Sequence, residues 1–411
     1  MPNSTQSSAV SSTSRLPLII TSAYYAAFIG LGLLSSILGP TLNELARHTG
    51  SNLSQISLLF TASSLGYMLG SFFGGQLLDR LPGHPLMAFV LVIAALCMVF
   101  MPVIPILWIL VAVALCLGIA QSTLDVGCNS LLIWLHGEKS PPFINGLHFF
   151  FGLGAFLSPI LVAQAVLASG NITWAYWMLG LLMLPAAAWI LFLPSPRIPV
   201  FKKDEINAKN NLFLVILITL FFILYVGAEI GFGGWIFTYV TLLKISDVTA
   251  AAYLTSAFWG SFTAGRLVGI PLAARYKPET LLLVDLIGSI ACILLVLLGS
   301  HSILLVWIGS LGIGVFLATV FPTMINFAGS HIALTGKTNR WFFFGSGAGG
   351  MILPWLIGQL FVLSGPRGAI SSILVDLILE IGLFAILLVF IARRKVNLAA
   401  QVEENRLNSS V

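Results

Sequence analysis

The chain has 411 residues, of which 58% are hydrophobic and only 8% are charged, and its formal net charge is +5. Water-soluble globular chains carry about 25% charged residues, so a soluble fold of this size could not cover its surface with so few charges. The composition excludes a soluble enzyme, a nucleic-acid-binding protein and a disordered chain, and it predicts an integral membrane protein built from helices.

Twelve apolar stretches are long enough to cross a bilayer, because a membrane-spanning helix needs about 20 residues. We number them spans 1 to 12 in chain order: 16–39, 53–78, 86–104, 107–135, 142–168, 173–193, 212–242, 248–272, 280–299, 302–328, 341–364 and 368–392. The polar segments predict a cytoplasmic N-terminal tail at 1–15, a cytoplasmic linker at 194–211 and a cytoplasmic C-terminal tail at 393–411. The linker would separate two bundles of six helices, 16–193 and 212–392.

Lysine and arginine are distributed unequally between the two sides of this arrangement. With the N-terminus inside, 15 of the 19 basic residues lie inside, Arg47, Lys244 and Arg367 lie outside, and Arg266 lies within span 8. Cytoplasmic loops carry an excess of lysine and arginine. The count therefore predicts that both termini are cytoplasmic and that the number of spans is even. We expect the protein in the plasma (inner) membrane.

The two halves of the sequence are related. FFFGLGA at 149–155 recurs as FFFGSGA at 342–348, and LGIA at 117–120 recurs as LGIG at 311–314. Two glycines of span 2 also have counterparts in span 8, 194 residues later. A parallel repeat of two six-helix halves is the arrangement of major facilitator transporters. The predicted fold is all-α and integral to the membrane, with twelve transmembrane helices in two pseudo-symmetric bundles.

The loop after span 2 reads GQLLDRLPGH and resembles the major facilitator signature of a glycine, an Asp-Arg pair, and then a glycine and a basic residue. His84 stands where the signature has arginine or lysine. An aspartate at a helix end can meet a cation and a neighbouring helix N-terminus, which would close one side by a breakable contact. The predicted gating residues are Gly75, Asp79 and Arg80, with Arg266 in a degraded second copy. The alternative is a plain charge pair in a loop.

Two acids lie at membrane depth, Asp125 in span 4 and Glu229 in span 7. Such a residue costs at least a few kcal/mol and marks function by default. Gln121, Asp125 and Asn129 are four residues apart and share one helical face. At the 194-residue offset Asp125 falls on Thr319, so the charge belongs to one half only. We predict that Asp125 and Glu229 couple transport to an ion; the alternative for Asp125 is a packing role.

Four glycines surround Glu229 in the run from Tyr225 to Trp235. This density of glycine predicts a helix that bends or opens, which is tolerated at membrane depth only against protein or a watery cavity. Glu229 is therefore also a candidate for substrate contact.

Side chains that both donate and accept hydrogen bonds suit sugar hydroxyls, and indole rings can stack on a sugar ring. The predicted substrate-binding set is Gln121, Asn129, Asn145, His148, Tyr225, Glu229, Trp235, Trp259 and Asn326. For Asn145, His148 and the two tryptophans the alternatives are helix capping and packing.

The runs LDVGCNSL at 124–131 and NGLHFFFGLGA at 145–155 resemble helices 4 and 5 of one transporter branch, and 225–235 is similar to its helix 7. That branch holds the fucose-permease-like sugar transporters and the animal sodium-dependent glucose transporter 1 relatives. The resemblance implies an ion-coupled importer of a monosaccharide, with a proton-titrating acid at the position of Asp125. Fucose-permease-like members also have an acid in helix 1, where this sequence has only glycines and serines, so Glu229 is the second acid to test.

The sequence as a whole predicts a monomeric symporter that takes up a monosaccharide or similar polyol with a proton by alternating access. The first alternative is sodium coupling, and the second is efflux of a lipid-like substrate, which apolar residues such as Phe149 and Phe343 would favour. The third alternative is a receptor that binds a ligand without transporting it. We disfavour it because no sizeable soluble domain is attached. We expect a sugar and the lipid bilayer as partners, and no enzyme activity, metal site, cofactor or nucleic-acid partner.

Overall fold

The computed structural model describes residues 15–196, 212–299, 302–332 and 336–408, and in these residues the regular secondary structure is helical. Most of the predicted N-terminal tail and linker lies outside the described residues. Span 12 continues as one helix to Asn408, through most of the predicted C-terminal tail.

The twelve predicted spans are helices in the structure. Their bounds are Leu16–Ser36 with an extension Leu38–His48 (span 1), Leu53–Ile56 and Leu58–Leu78 (span 2), Gly83–Phe100 (span 3), Leu107–His136 (span 4), Pro141–Ser169 (span 5), Thr173–Leu191 (span 6), Leu212–Leu242 (span 7), Val248–Arg275 (span 8), Pro278–Leu298 (span 9), Ile303–Gly329 (span 10), Gly336–Leu363 (span 11) and Gly365–Asn408 (span 12). Eleven are long and apolar enough to cross a membrane by length and composition. Span 8 has the length, at 28 residues, but two arginines and several hydroxyl residues make it less apolar.

Local sequence signals set the ends of several helices. Asn52 and Gln55 form a capping box at the start of span 2, and the Asp247 side chain accepts a hydrogen bond from the backbone N–H of Ala250 at the start of span 8. Such caps satisfy backbone N–H groups that have no partner within the helix. Gly170 ends span 5 in the left-handed conformation that glycine adopts without strain.

The helices pair in the same way in both halves. Span 1 packs on 5 and span 7 on 11, span 2 on 4 and span 8 on 10, and span 3 on 6 and span 9 on 12. The pairing is repeated in detail, because Gly74 faces Thr123 in the first half as Gly269 faces Thr319 in the second. The predicted repeat is therefore confirmed, but its register is corrected: the counterpart of Thr319 is Thr123, not Asp125.

Glycines bring helix backbones close together. A Cβ on Gly118 of span 4 would collide with the backbone carbonyl of Ser63 in span 2, the close approach that small residues permit between membrane helices. Two glycines of span 7 also allow close helix packing, because Gly227 and Gly231 lie against side chains of span 11. Span 7 is one continuous helix from Leu212 to Leu242, so the predicted opening around Glu229 is wrong.

The two halves are joined at the end of the bundle opposite the chain termini, which we call the far side; the other end is the terminal side. Thr238 donates to the side-chain oxygen of Asn43 at 3.1 Å, and Gln164 donates to the Tyr253 hydroxyl at 2.6 Å. Ser54 donates to Gln359. Neutral hydrogen bonds thus connect the halves across the far side.

The terminal side is open between the halves. All residues from 270 to 277, at the end of span 8 on this side, are exposed. Contacts between the halves are still found at Gly152 with Thr263 and at Gly347 with Met68. Polar side chains deep in the bundle, such as Tyr67 and Asp125, also keep part of their surface exposed, which indicates a space between the halves at this depth that we call the cavity.

We predict that Gly118→Ala destabilises the protein, because its Cβ has no space beside the Ser63 carbonyl. Overpacking of this kind costs about 1–3 kcal/mol, so thermal unfolding of the purified protein should occur at a lower temperature. The matched control is Gly382→Ala, which adds a Cβ to a span 12 helix position with open space around it. Equal melting temperatures for the two variants would contradict the packing argument.

Candidate functional site

Three charged side chains from three helices approach one another at the inner end of the cavity. Asp125 of span 4, Glu229 of span 7 and Arg266 of span 8 are each partly exposed, although they lie well inside their helices. The positive charge of Arg266 interacts electrostatically with both carboxyl groups. Each of the two acids that the sequence suggested for ion coupling therefore lies within the electrostatic field of Arg266, without a direct ion pair among the described residues.

Asp125 is held by two hydrogen-bond donors. The Tyr67 hydroxyl of span 2 donates to one carboxylate oxygen, and the Asn129 amide donates to the other at 2.8 Å and to the Asp125 backbone carbonyl at 3.0 Å. Charge-assisted hydrogen bonds such as these are stronger than neutral ones. Gln121, one turn further towards the far side on the same helix, is buried.

Arg266 belongs to this central cluster rather than to the loop that carries the signature. Its guanidinium carbon lies 4.7 Å from the centre of the Phe262 ring, a cation–π arrangement. Arg266 lies more than two helical turns inside the end of span 8, whereas Asp79 and Arg80 are exposed at the turn after span 2. Arg266 therefore lies deeper in the bundle than Asp79 and Arg80, and the predicted gating role of these residues stays a prediction.

Tyr225 connects Glu229 to the packed interior of the second half. It is fully buried, and its hydroxyl donates to the Leu317 carbonyl of span 10 at 3.0 Å. Tyr225 also interacts with the Glu229 carboxyl group one turn away on the same helix.

His148 and Trp259 lie near the charges. His148 packs edge-on against Phe28, with ring centres 6.1 Å apart, and interacts with the charge of Arg266. Trp259 packs against Phe262, and its indole N–H is buried with no hydrogen-bond partner among the described residues. Most buried polar groups are hydrogen-bonded, so this unpartnered donor stands out among the residues around Arg266.

The remaining predicted substrate residues are not brought to this site. Trp235 is fully buried and its indole N–H donates to the Pro354 carbonyl at 2.9 Å, while its ring stacks on Phe361. Asn145 is exposed in the second turn of span 5, and Asn326 is exposed near the end of span 10. Both asparagines therefore lie towards the terminal side, and Trp235 packs on Phe60 of span 2, where the two halves meet.

Sequence reasoning missed Tyr67, the direct partner of Asp125. A signal was present, because Gly66 and Gly70 mark the face of span 2 that packs on span 4, and Tyr67 is next to that face. Among the described residues, no group of three or more His, Cys, Asp or Glu side chains is arranged to hold a metal ion. The carboxyl groups of Asp125 and Glu229 are the groups here that could bind a proton or a monovalent cation.

Comparison with known proteins identifies the family. Residues 24–354 match the family model of the Major Facilitator Superfamily. The chain is 32% identical over 374 residues to sodium-dependent glucose transporter 1A of Mus musculus, covering 82% of this chain and 88% of that protein. It is 30% identical over 377 residues to sodium-dependent glucose transporter 1 of Homo sapiens, covering 82% and 72% respectively.

Solved structures share the fold. A point mutant of the nucleoside transporter NupG superposes with a TM-score of 0.72 at 15% identity, covering 91% of this chain and 99% of that one. A bacterial homologue of the human lysosomal transporter Spinster gives a TM-score of 0.67 at 13% identity, covering 91% and 96% respectively. With the paired halves described above, these findings establish that the chain is an integral membrane protein of the Major Facilitator Superfamily, a secondary transporter and not an enzyme.

Proposed function

We propose that the protein is a proton-coupled symporter that imports a monosaccharide, with Asp125 as the group that binds the coupling proton. The observation that carries the proposal is the central cluster, in which Asp125 and Glu229 share the field of one arginine. The names of the relatives, sodium-dependent glucose transporters, support a sugar as the substrate.

The charges of the cluster do not balance. One guanidinium group cannot neutralise two carboxylates, so with both acids ionised the site carries one excess negative charge. While the cavity is open, water screens that charge. When the halves close on both sides, the charge would be left in a medium of low dielectric constant, which costs several kcal/mol. One bound proton removes this cost, so closure is favoured only when the proton is present.

The surroundings of Asp125 favour a proton over a metal cation. Tyr67 and Asn129 place hydrogen-bond donors against its two carboxylate oxygens, whereas a sodium ion needs several converging oxygen atoms, often from unwound backbone. Span 4 is an unbroken helix from Leu107 to His136, so its carbonyl groups there are engaged in the helix. On protonation, the Tyr67 hydroxyl can rotate and accept the new proton in place of donating its own.

Sodium coupling is the second candidate, and the names of the relatives favour it. Sodium would remove the same excess charge at the same place. The two candidates therefore share the electrostatic argument and differ only in the cation.

The residues near the cluster suit a small polyol. Trp259 offers an unpartnered donor, His148 offers a ring nitrogen, and Glu229 offers acceptors, while the Phe262 and Trp259 rings provide apolar surfaces. Sugars bind to proteins through their hydroxyl groups and also through the apolar face of the sugar ring. We place the substrate at this inner end of the cavity.

The orientation follows from the distribution of basic residues. With the termini in the cytoplasm, in the plasma membrane, the sealed far side faces outward and the open terminal side faces inward. The conformation is then inward-open, the state from which an importer releases its substrate.

We expect Asp125→Asn to abolish uphill accumulation of the sugar, because the amide carries no charge that needs a proton on closure. Exchange of labelled for unlabelled sugar should survive. The measurement is uptake into proteoliposomes with and without an inward proton gradient. The matched control is Asp285→Asn, which alters another membrane acid, one bound by Thr319, and should still accumulate substrate. Proton-driven accumulation by Asp125→Asn at the wild-type level would refute the assignment.

Uptake in sodium-free buffer separates the two cations. If a proton is coupled, a pH gradient alone drives accumulation and a sodium gradient at constant pH does not. The reverse pattern would reject proton coupling and select sodium at the same acids. Accumulation that requires neither gradient would reject both.

Trp259→Phe should weaken binding of the sugar, because it removes one donor and keeps an aromatic ring. A hydrogen bond of this kind contributes about 1 kcal/mol, so the dissociation constant should rise by about fivefold, measured calorimetrically with glucose and a panel of other sugars. Trp235→Phe is the control, because that indole is engaged by Pro354. An equal loss of affinity in both variants would argue against direct contact by Trp259.

A further inference from the structure

A second pair of acids lies in the second half, outside the cavity. Asp376 and Glu380 are one turn apart on span 12, and both are buried, Glu380 with 0% of its surface exposed. One oxygen of Asp376 and both carboxyl oxygens of Glu380 have no hydrogen-bond partner among the described residues. A buried carboxyl group without partners is costly when ionised, so this pair needs an explanation that the transport site does not provide.

The packing of span 12 against span 7 places this pair beside Tyr225. The rings of Phe221 in span 7 and Phe384 in span 12 are 6.1 Å apart. The two helices run in opposite directions, so one turn towards the far side brings Tyr225 opposite Glu380, and these two side chains interact electrostatically. Tyr225 therefore lies between Glu380 of span 12 and Glu229 of the central cluster.

No basic residue in the sequences of the surrounding helices is at the depth of this pair. Span 7 contributes the titratable residues Tyr225, Glu229 and Tyr239. Span 9 contributes Glu279, Asp285 and Cys292, of which Asp285 accepts a hydrogen bond from Thr319. Span 11 has Lys337 and Arg340 only in its first turns, and span 12 has Arg367 near its start and its other basic residues only from Arg393 onward.

We propose that Asp376 and Glu380 form a second proton-binding site, in which the two carboxyl groups share at least one proton, and that Tyr225 links this site to Glu229. Two adjacent carboxylates cannot both stay ionised in a dry interior, and no protein cation of the surrounding helices is placed to neutralise them. A sodium ion would need further converging oxygen atoms, so a proton is the cation that fits.

The link through Tyr225 is a balanced proton exchange. A protonated Glu229 donates its proton to the Tyr225 oxygen, while the Tyr225 hydroxyl turns from the Leu317 carbonyl and gives its own proton to the Glu380 carboxylate. One proton then moves from the cavity to the buried pair, and Tyr225 is unchanged. The proposal goes beyond sugar transport, because it requires neither a substrate nor proton binding at Asp125.

Infrared difference spectroscopy of the purified full-length protein tests this inference without any substrate. A buried protonated carboxyl group gives a C=O stretching band that shifts to lower frequency when the proton is exchanged for deuterium. We expect such a band at neutral pH, its loss in Asp376→Asn/Glu380→Gln, and its retention in the control Asp285→Asn. In Tyr225→Phe the band should remain, but its shift after transfer to heavy water should be slower by at least about tenfold, since the relay is broken.

Three results would overturn the proposal: no band that depends on Asp376 or Glu380, a band whose exchange is as fast in Tyr225→Phe as in the wild type, or exchange unaffected by Glu229→Gln. If the double variant does not fold, carboxyl-labelled glutamate incorporated into the wild-type protein assigns the band to a glutamate, and Tyr225→Phe supplies the rate comparison. If Asp125→Asn loses proton-driven sugar accumulation but keeps this band and its dependence on Tyr225, the proposed function and this inference are shown to be independent.

Discussion

The account depends on one electrostatic constraint: two carboxyl groups lie in the field of one guanidinium group where the two halves of the transporter face each other. Asp125 comes from the first half, and Glu229 and Arg266 come from the second. The excess negative charge is tolerable while water reaches the site and costly once the cavity closes. A cation that enters with the substrate therefore decides whether the halves can close over it, which ties the ion to the conformational change.

The fold makes such a change possible because the seal between the halves contains no strong ion pair among the described residues. The far side is joined by neutral hydrogen bonds, such as Asn43 with Thr238 and Gln164 with Tyr253, and each contributes only about 1 kcal/mol. Within each half, glycines such as Gly118 hold helices in close backbone contact. The halves are thus tightly packed units with weaker contacts between them, as rigid-body rocking requires.

The sequence predicts the architecture well, because span length and the repeated glycine motifs are visible without coordinates. It predicts the register less well, since a shift of one or two residues between the halves moved the counterpart of Thr319 from Asp125 to Thr123. It cannot tell which buried indole N–H is already hydrogen-bonded, so Trp235 and Trp259 looked equivalent until these groups were placed. Arg266 was assigned to gating because it lies in a degraded copy of the signature. In the structure, the groups that feel its charge belong to spans 4, 5 and 7.

The most direct test of the charge imbalance is the electric charge that moves with each sugar molecule. In proteoliposomes with a controlled membrane potential, the reversal potential of sugar flux gives this ratio. The account predicts one positive charge per sugar in the wild type and none in Asp125→Asn. Electroneutral transport by the wild type, or an unchanged ratio in the variant, would contradict it.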